Sequence, residues 1–191
     1  MLCALVSGLG GILLESCKTD YENLPTYNRH QQLQAVIEIP AGTNQLLKYD
    51  AKSREFQNTT GKAIRFLAYP GNYGFIPATQ LAARRGGDDQ PLDILVLAES
   101  QPSGTVTEVL LLGILLLERD GLLDPKVIAV PAQPSQRLIS ATDFTSFSQD
   151  YSAIKNILTQ WFLHANPSQK VRLIGWKSEL FAENYIRQSM K

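Results

Sequence analysis

The sequence predicts an α+β fold in which a barrel of short strands carries helices in its second half. Three observations predict it. Apolar or alternating runs of four to nine residues follow one another from Val36, and turn residues separate them. Two later segments repeat their apolar residues every three or four positions, which is the period of a helix. No repeat of fixed length is visible, so one mixed domain is expected. Short strands with irregular turns favour a closed barrel.

The composition is that of a globular protein. The chain has 191 residues, of which 44% are hydrophobic and 19% are charged, and this excludes disorder, collagen and coiled coils. Because 18 Lys and Arg balance 18 Asp and Glu, we expect no nucleic-acid partner. Two Cys and two His are too few for a zinc or iron–sulfur site. A bound metal would therefore have oxygen ligands, which favours Mg²⁺, Mn²⁺ or Ca²⁺.

The first residues differ from the rest of the chain. Residues 2–14 form an uncharged apolar run that is too short to span a bilayer and has the length of a signal-peptide core. Ser16 and Cys17 then resemble the cleavage and lipid-attachment site of bacterial lipoproteins. We therefore expect a signal or lipoprotein segment, a tether and a folded domain, at residues 1–17, 18–35 and 36–191.

This organisation predicts a protein of the cell envelope or periplasm. A lipid on Cys17 would be its only contact with a membrane. The alternative is a cytoplasmic protein in which the apolar N-terminal run is a buried strand or helix. Both alternatives agree with the low number of cysteines.

Most of seven apolar runs are expected to be strands. Turn residues such as Pro40-Ala41-Gly42 and Arg119-Asp120-Gly121 bound them. In chain order the runs are residues 36–39, 46–50, 63–69, 94–98, 109–117, 127–130 and 171–176.

Two segments are predicted to be helices, and the first is expected to lie on the barrel. It runs from a cap at Thr142 or Asp143 to Ala165. The second begins after a cap at Ser178. Its apolar side is expected to consist of Leu180, Phe181, Tyr185 and Ile186.

Acidic residues beside strands are the candidates for chemistry. The run from Asp88 to Asp93 leads into a strand, and two glycines before it allow a tight turn, so that carboxylates five apart can converge. Asp120 and Asp124 flank a later turn. Glu38 lies inside an apolar strand, where a carboxylate is costly to bury unless a cation or a metal pairs with it.

Lysines complete this pattern. With Lys48, Lys62 and Lys126, the carboxylates suit a metal bound to a polyanion, because carboxylates bind hard cations and lysines bind phosphate oxygens. Alternatively, each acidic cluster is a solvated turn in which Asp bonds to the backbone. The dense Tyr, Pro and Gly residues of 69–77 do not suit an ordinary hairpin and favour the pocket.

Five motifs occur in the order of one known family and close to its spacing. They are Ile37-Glu38-Ile39-Pro40, Lys48-Tyr49-Asp50, the run from Tyr69 to Gly74, the run from Asp88 to Asp93, and Asp124-Pro125-Lys126. On these motifs the sequence resembles the soluble family I inorganic pyrophosphatases. The resemblance implies an OB-like five-stranded β-barrel with C-terminal helices, and homo-oligomers. It also implies Mg²⁺-dependent hydrolysis, with Mn²⁺ as a substitute, of pyrophosphate or a related small phosphoanhydride.

The resemblance assigns roles to individual residues. The principal metal ion would be held by Asp88, Asp93 and Asp124. A further ion would be held by Glu38, with Asp50 and Asp120 as secondary candidates. Phosphate groups would be bound by Lys48, Lys62, Tyr73 and Lys126.

The sequence departs from the family at three places. Gln90 occupies the position of the general base, and a neutral amide cannot accept a proton from water. Arg119 stands where another metal-binding Asp is expected, with Asp120 one residue away, and Ala165-Asn166 replaces a phosphate-binding pair. We therefore expect slow or altered hydrolysis, or, as the alternative, an inactive protein that binds a metal–phosphate complex.

Overall fold

The computed structural model describes residues 18–59, 67–83 and 86–191. It confirms the predicted α+β class, with a strand-rich sheet and helices in the C-terminal part. The elements are β1 (Leu33–Ile39), β2 (Leu47–Asp50), β3 (Glu55–Asn58), β4 (Asn72–Ile76), β5 (Leu92–Val96), β6 (Val106–Arg119), β7 (Leu122–Pro131), α1 (Phe144–Asp150), α2 (Ser152–His164), β8 (Val171–Lys177) and α3 (Glu179–Ser189).

Five strands are paired in a ring. The order is β1-β4-β5-β7-β6, and β6 pairs in turn with β1. All of these pairings are antiparallel except that of β5 with β7. The first half of β1 contacts β6 and the second half contacts β4, with Val36 common to both, so the ring closes through short pairings. Strand β8 pairs with β6 outside the ring, and β2 and β3 form a separate hairpin.

The turn between β6 and β7 sets the register of the two longest strands. Asp120 and Gly121 have φ angles of 49° and 87°. Two consecutive left-handed residues are the mark of the two-residue hairpin turn whose twist matches that of the strands. The turn places Arg119 opposite Leu122 and Leu117 opposite Asp124. It therefore decides which side chains of β6 and β7 lie on the same face.

Helices cover the ring on two sides. Phe147 of α1 and Leu158 and Phe162 of α2 are buried in one apolar cluster. Ala182 and Ile186 of α3 are fully buried in the other. The expected apolar side of α3 is therefore partly wrong, because Leu180 and Phe181, which were assigned to it, are exposed.

The long helix predicted up to Ala165 is two helices. Asp143 caps the first, and its side chain accepts a hydrogen bond of 2.7 Å from the Ser146 amide. The helix ends at Asp150, and the φ and ψ of the next residue, Tyr151, are −124° and 33°, which are not helical. The Tyr151 hydroxyl contacts the Ser140 amide at 3.1 Å, which ties the break to the preceding loop.

Two strands were not predicted, and one prediction is only partly described. Strand β4 contains Gly74, which looks like a strand breaker in the sequence. A Cβ atom at this position would lie 1.9 Å from the Val36 carbonyl oxygen, so glycine permits β4 to approach β1. Strand β3 is short and largely exposed. Of the run predicted at 63–69, residues 67–69 are not in a strand, and the others lie outside the described residues.

Residues 18–35 are not a tether. The Tyr21 ring packs on Phe56, with 5.2 Å between ring centroids, and the buried Thr26 hydroxyl donates to the Pro77 carbonyl oxygen at 2.9 Å. Strand β1 begins at Leu33, before the predicted boundary at Val36. The predicted signal segment, including Cys17, lies outside the described residues. No helix in the part of the chain that the structure describes is long and apolar enough to cross a membrane.

Candidate active site

Strand register brings charged side chains to one face of the sheet. Asp93 of β5 lies opposite Lys126 of β7. Asp124 lies two residues from Lys126, and Arg119 lies two residues from the residue opposite Asp124. Because side chains alternate between the faces of a strand, these four point to the same side.

Lys126 lies at the centre of this group. Its ammonium group forms ion pairs with both Asp93 and Asp124, and its side chain is only 5% exposed. Burial alone would lower the pKa of Lys126, but the two carboxylates outweigh it and raise the pKa. Burial also opposes the charge of Asp124, but Lys126 and Arg119 outweigh it and lower the pKa of the carboxyl. Lys126 and Asp124 are therefore both ionised at neutral pH.

Arg119 extends from the end of β6 into the same space. Its Nε donates to Asp124 Oδ2 at 2.7 Å, and its Nη1 donates to the Gln169 side-chain oxygen. Asn166 donates to the same Gln169 oxygen at 3.0 Å. Asp124 thus has both oxygens engaged, because Lys126 contacts the other one.

Two adjoining cavities form a cleft around these residues, and Asp88, Asp93, Arg119 and Asp124 line both of them. The larger, of about 340 Å³, lies over Lys126. Its other walls are formed by Leu46, Tyr69, Tyr73, Trp161, Phe162, Ala165, Asn166 and Gln169. The smaller, of about 180 Å³, is lined on its outer side by Lys48 and Gln90.

Aromatic rings form one wall of the larger cavity. The Tyr69 ring centroid lies 4.8 Å from that of Trp161 and 5.4 Å from that of Tyr73. The Trp161 indole donates to the Ala68 carbonyl oxygen at 2.9 Å, which fixes its position. Burial raises the pKa of Tyr73 well above its usual value. Its hydroxyl therefore stays protonated, and its hydrogen-bond partner is Asp93, a carboxylate that lines the cleft.

Gln90 lies at the entrance of the cleft with its acceptor engaged. Lys48 Nζ donates to the Gln90 side-chain oxygen at 2.7 Å. The backbone N–H of Gln90 donates a hydrogen bond to Asp88 Oδ1 at 3.1 Å, which fixes the loop before β5. At the expected position of the general base there is thus a neutral amide whose oxygen already contacts a lysine.

The carboxylates of the cleft are oxygen ligands of the kind that divalent cations such as Mg²⁺ prefer. Asp88, Asp93 and Asp124 line the same cavity, and one ammonium group contacts both Asp93 and Asp124. A position between these two carboxylates is therefore already occupied by a cation. Among the described residues, no three His, Cys, Asp or Glu form a group that encloses a metal ion. Asp124 pairs instead with two cationic side chains, Lys126 and Arg119.

Glu38 lies behind the cleft. The β1–β4 pairing is irregular between Ile37 and Ile39, and a bulge of this kind re-aims a side chain. The Glu38 carboxylate is almost fully buried and accepts a hydrogen bond of 2.7 Å from the Tyr49 amide. Burial raises its pKa to about 7. It is not among the residues that line the two cavities.

Two other candidates, Asp120 and Asp50, are not brought to the cleft. Asp120 Oδ1 accepts a hydrogen bond of 3.0 Å from the Lys170 amide, so the turn is not shifted and Arg119 alone faces the site. Asp50 Oδ1 accepts from the Lys52 amide at 2.8 Å and closes the turn after β2. Lys62 lies outside the described residues.

Gln169 and Trp161 were missed by sequence reasoning. Gln169 holds Arg119, and Trp161 forms part of the aromatic wall. The only signal for Gln169 was a polar stretch after a helix, which is also an ordinary loop signal. In the sequence Trp161 is one of several apolar residues at helical spacing, which indicates packing and not a site, and its indole is in fact nearly buried.

Comparison with known proteins agrees with this geometry. The family model described as inorganic pyrophosphatase matches residues 35–191. An inorganic pyrophosphatase of Sulfolobus acidocaldarius is 32% identical over 173 residues, which cover 87% of this chain and 94% of the relative. One of Saccharolobus solfataricus is 31% identical and covers 84% and 91%.

Solved structures show the same relationship. The crystal structure of an inorganic pyrophosphatase from Thermus thermophilus superposes with a TM-score of 0.75 and 28% identity, and covers 90% of this chain and 97% of that one. One from Helicobacter pylori has a TM-score of 0.71 and 26% identity, and covers 83% and 91%. The fold, the cleft and the relatives agree, and the chain belongs to the inorganic pyrophosphatase family.

Proposed function

We propose that this chain hydrolyses inorganic pyrophosphate to two phosphates, with a divalent cation held by Asp88, Asp93 and Asp124. The observation that carries the proposal is the cleft in which three carboxylates and three cationic side chains meet, in a chain whose relatives are inorganic pyrophosphatases. Mg²⁺ is the expected ion and Mn²⁺ a substitute, because both prefer oxygen ligands.

The side chains of the cleft would bind and orient the substrate. Lys126 and Lys48 supply positive charge for phosphate oxygens, and Tyr73 supplies a hydroxyl donor. The cation, when bound, supplies further neutralisation of the phosphate oxygens and makes a bound water more acidic. Phosphoryl transfer depends mainly on such positioning and charge stabilisation.

The weak point of the site is proton transfer. A positioned general base contributes about 10²–10⁴ to a rate. Gln90 cannot accept a proton, and Lys48 already occupies its oxygen. We therefore propose a slow enzyme.

The test is phosphate release from pyrophosphate by the chain with and without Mg²⁺. Release that requires Mg²⁺ and is lost in Asp93→Asn supports the proposal. The matched control is Asp150→Asn, which removes an exposed carboxylate of α1 and should leave the rate unchanged. Equal release by Asp93→Asn and the wild type would contradict the assignment of the site.

The second candidate is an inactive protein that binds a metal–phosphate complex. The engaged Gln90 oxygen and the pairing of Asp124 with two cations favour it. Calorimetry with pyrophosphate and Mg²⁺ separates the two candidates. Tight binding without phosphate release would support the binding protein.

Two expectations about the protein's surroundings are also proposals. The first is a lipid on Cys17 and a place in the cell envelope, with a cytoplasmic location as the alternative. The second is assembly into homo-oligomers, which the resemblance to the family implies.

A further inference from the structure

Arg119 is a cationic side chain of the cleft to which the proposed reaction assigns no role. Its side chain lines both cavities and is 26% exposed. A guanidinium group has five N–H donors. Within the described residues, acceptors are present for two of them, on Asp124 and on Gln169. The guanidinium group can therefore remain hydrogen-bonded to Asp124 and at the same time direct further N–H donors into the cleft.

The two acceptors of Arg119 differ in kind. Asp124 is a charged partner that is itself held by Lys126, whereas Gln169 is a neutral amide on the loop after α2. Asn166 also donates to the Gln169 oxygen at 3.0 Å, so Gln169 keeps a partner if Arg119 leaves it. A phosphate group can replace the amide at Nη1 because it brings a negative charge to the guanidinium and can accept two parallel hydrogen bonds from it.

The formal charge of the cleft also depends on Arg119. Three carboxylates face the three cations Lys48, Arg119 and Lys126 there, so the formal sum is zero. Exchange of Arg119 for Asp would lower this sum by two, which is the charge of one divalent cation. The guanidinium also occupies one oxygen of Asp124 that a metal ion would otherwise use.

We propose that Arg119 is a built-in substrate-binding cation, which contacts a phosphate group of pyrophosphate directly and takes the place of one divalent cation beside Asp124. The inference rests on the proposed function for the identity of the anion and for the presence of a divalent cation. It makes Arg119 a determinant of how many metal ions the site needs.

The experiment is calorimetric binding of imidodiphosphate, in which nitrogen replaces the bridging oxygen of pyrophosphate, with and without Mg²⁺. Arg119→Gln should raise the dissociation constant about 10-fold to 100-fold in both conditions. Arg119→Lys keeps a positive charge but lacks the planar guanidinium, so its dissociation constant should lie between those of the wild type and Arg119→Gln. The matched control is Arg172→Gln on neighbouring β8, where the exposed Arg172 pairs with Glu118 outside the cleft.

A second readout concerns the metal. In equilibrium dialysis at saturating imidodiphosphate, Arg119→Asp should bind one more Mg²⁺ per chain than the wild type. If the role of Arg119 were only structural, Arg119→Asp would bind as many Mg²⁺ ions per chain as the wild type. A folded Arg119→Lys variant would then bind imidodiphosphate with the affinity of the wild type. An unchanged dissociation constant in Arg119→Gln, or no additional Mg²⁺ in Arg119→Asp, overturns the proposal.

The two proposals fail in different ways. If the wild type releases phosphate while Arg119→Gln binds imidodiphosphate as the wild type does, this inference is wrong and the hydrolytic function stands. If the wild type releases no phosphate but Arg119→Gln loses affinity, the hydrolytic function is wrong and Arg119 is still an anion-binding residue.

Discussion

At the scale of single residues, the cleft depends on how Asp124 is shared. Lys126 contacts one of its oxygens and Arg119 the other. Removal of one partner from a buried ion pair is costly because it leaves an uncompensated charge. The three residues therefore act as one unit, and substitutions among them will not be additive.

Glu38 gives a prediction about pH. Its pKa is raised from 4.5 to about 7, chiefly by burial, with Asp93 adding to the rise and the Tyr49 amide and Lys48 opposing it. A folded-state pKa above the unfolded value means that Glu38 stabilises the protein fully below pH 4.5, and that this stability is lost as pH rises to about 7. The pKa difference corresponds to about 3 kcal/mol.

Glu38→Gln should therefore become more stable relative to the wild type as the pH rises. Its unfolding free energy in urea, minus that of the wild type, should increase by up to about 3 kcal/mol over this interval. Glu99→Gln, at an exposed carboxylate, is the control and should show a much smaller change. A difference for Glu38→Gln that is flat with pH would contradict the buried ionisable carboxyl.

At the scale of elements, the close approach of β4 to β1 holds the wall of the cleft. Gly74→Ala would place a Cβ atom 1.9 Å from the Val36 carbonyl oxygen, and backbone cannot yield as a side chain does. We expect a loss of about 3 kcal/mol or more in urea unfolding. Gly121→Ala meets no atom within 4 Å and has only a left-handed φ to accommodate, so it should lose about 1–2 kcal/mol. Equal stability of Gly74→Ala and the wild type would contradict the packing described.

Among the helices and strands, the features that depend on neighbouring residues could be predicted from the sequence, and those that depend on distant contacts could not. The cap at Ser178 was predicted, and the first cap was narrowed to Thr142 or Asp143, of which Asp143 is the cap, because a capping side chain acts on its own first turn. Strand β4 was missed because the reason for Gly74 lies on β1, which is distant in sequence. The break at Tyr151 is accompanied by a contact of its hydroxyl with Ser140, which a local apolar period does not report.

The residues of the candidate site likewise divide into those that the sequence could identify and those that it could not. Asp88, Asp93, Asp124 and Lys126 could be named from their order in the chain, and the structure places them on one cleft. The choice between Arg119 and Asp120 could not be made, because it depends on a turn whose register is set by pairing with β7 and β8. Gln169 acts only through Arg119 and carries no pattern of its own.

At the scale of the whole molecule, the protein combines the fold of its family with the altered chemistry that we propose at Gln90 and Arg119. The binding face is made by strands of the ring, and α2 with its following loop covers it. The alterations at Gln90 and Arg119 leave the architecture intact, because both side chains lie at the cleft and not in the core. Fold and reaction rate are therefore separate questions for this chain.

The rate of phosphate release by Gln90→Asp, compared with the wild type at saturating Mg²⁺ and pyrophosphate, tests the central claim most directly. If the cleft hydrolyses pyrophosphate and lacks only its proton acceptor, Gln90→Asp should raise kcat by about 10²–10⁴. The same release in both proteins, or in neither, would contradict the claim that this cleft is a pyrophosphatase site weakened at Gln90.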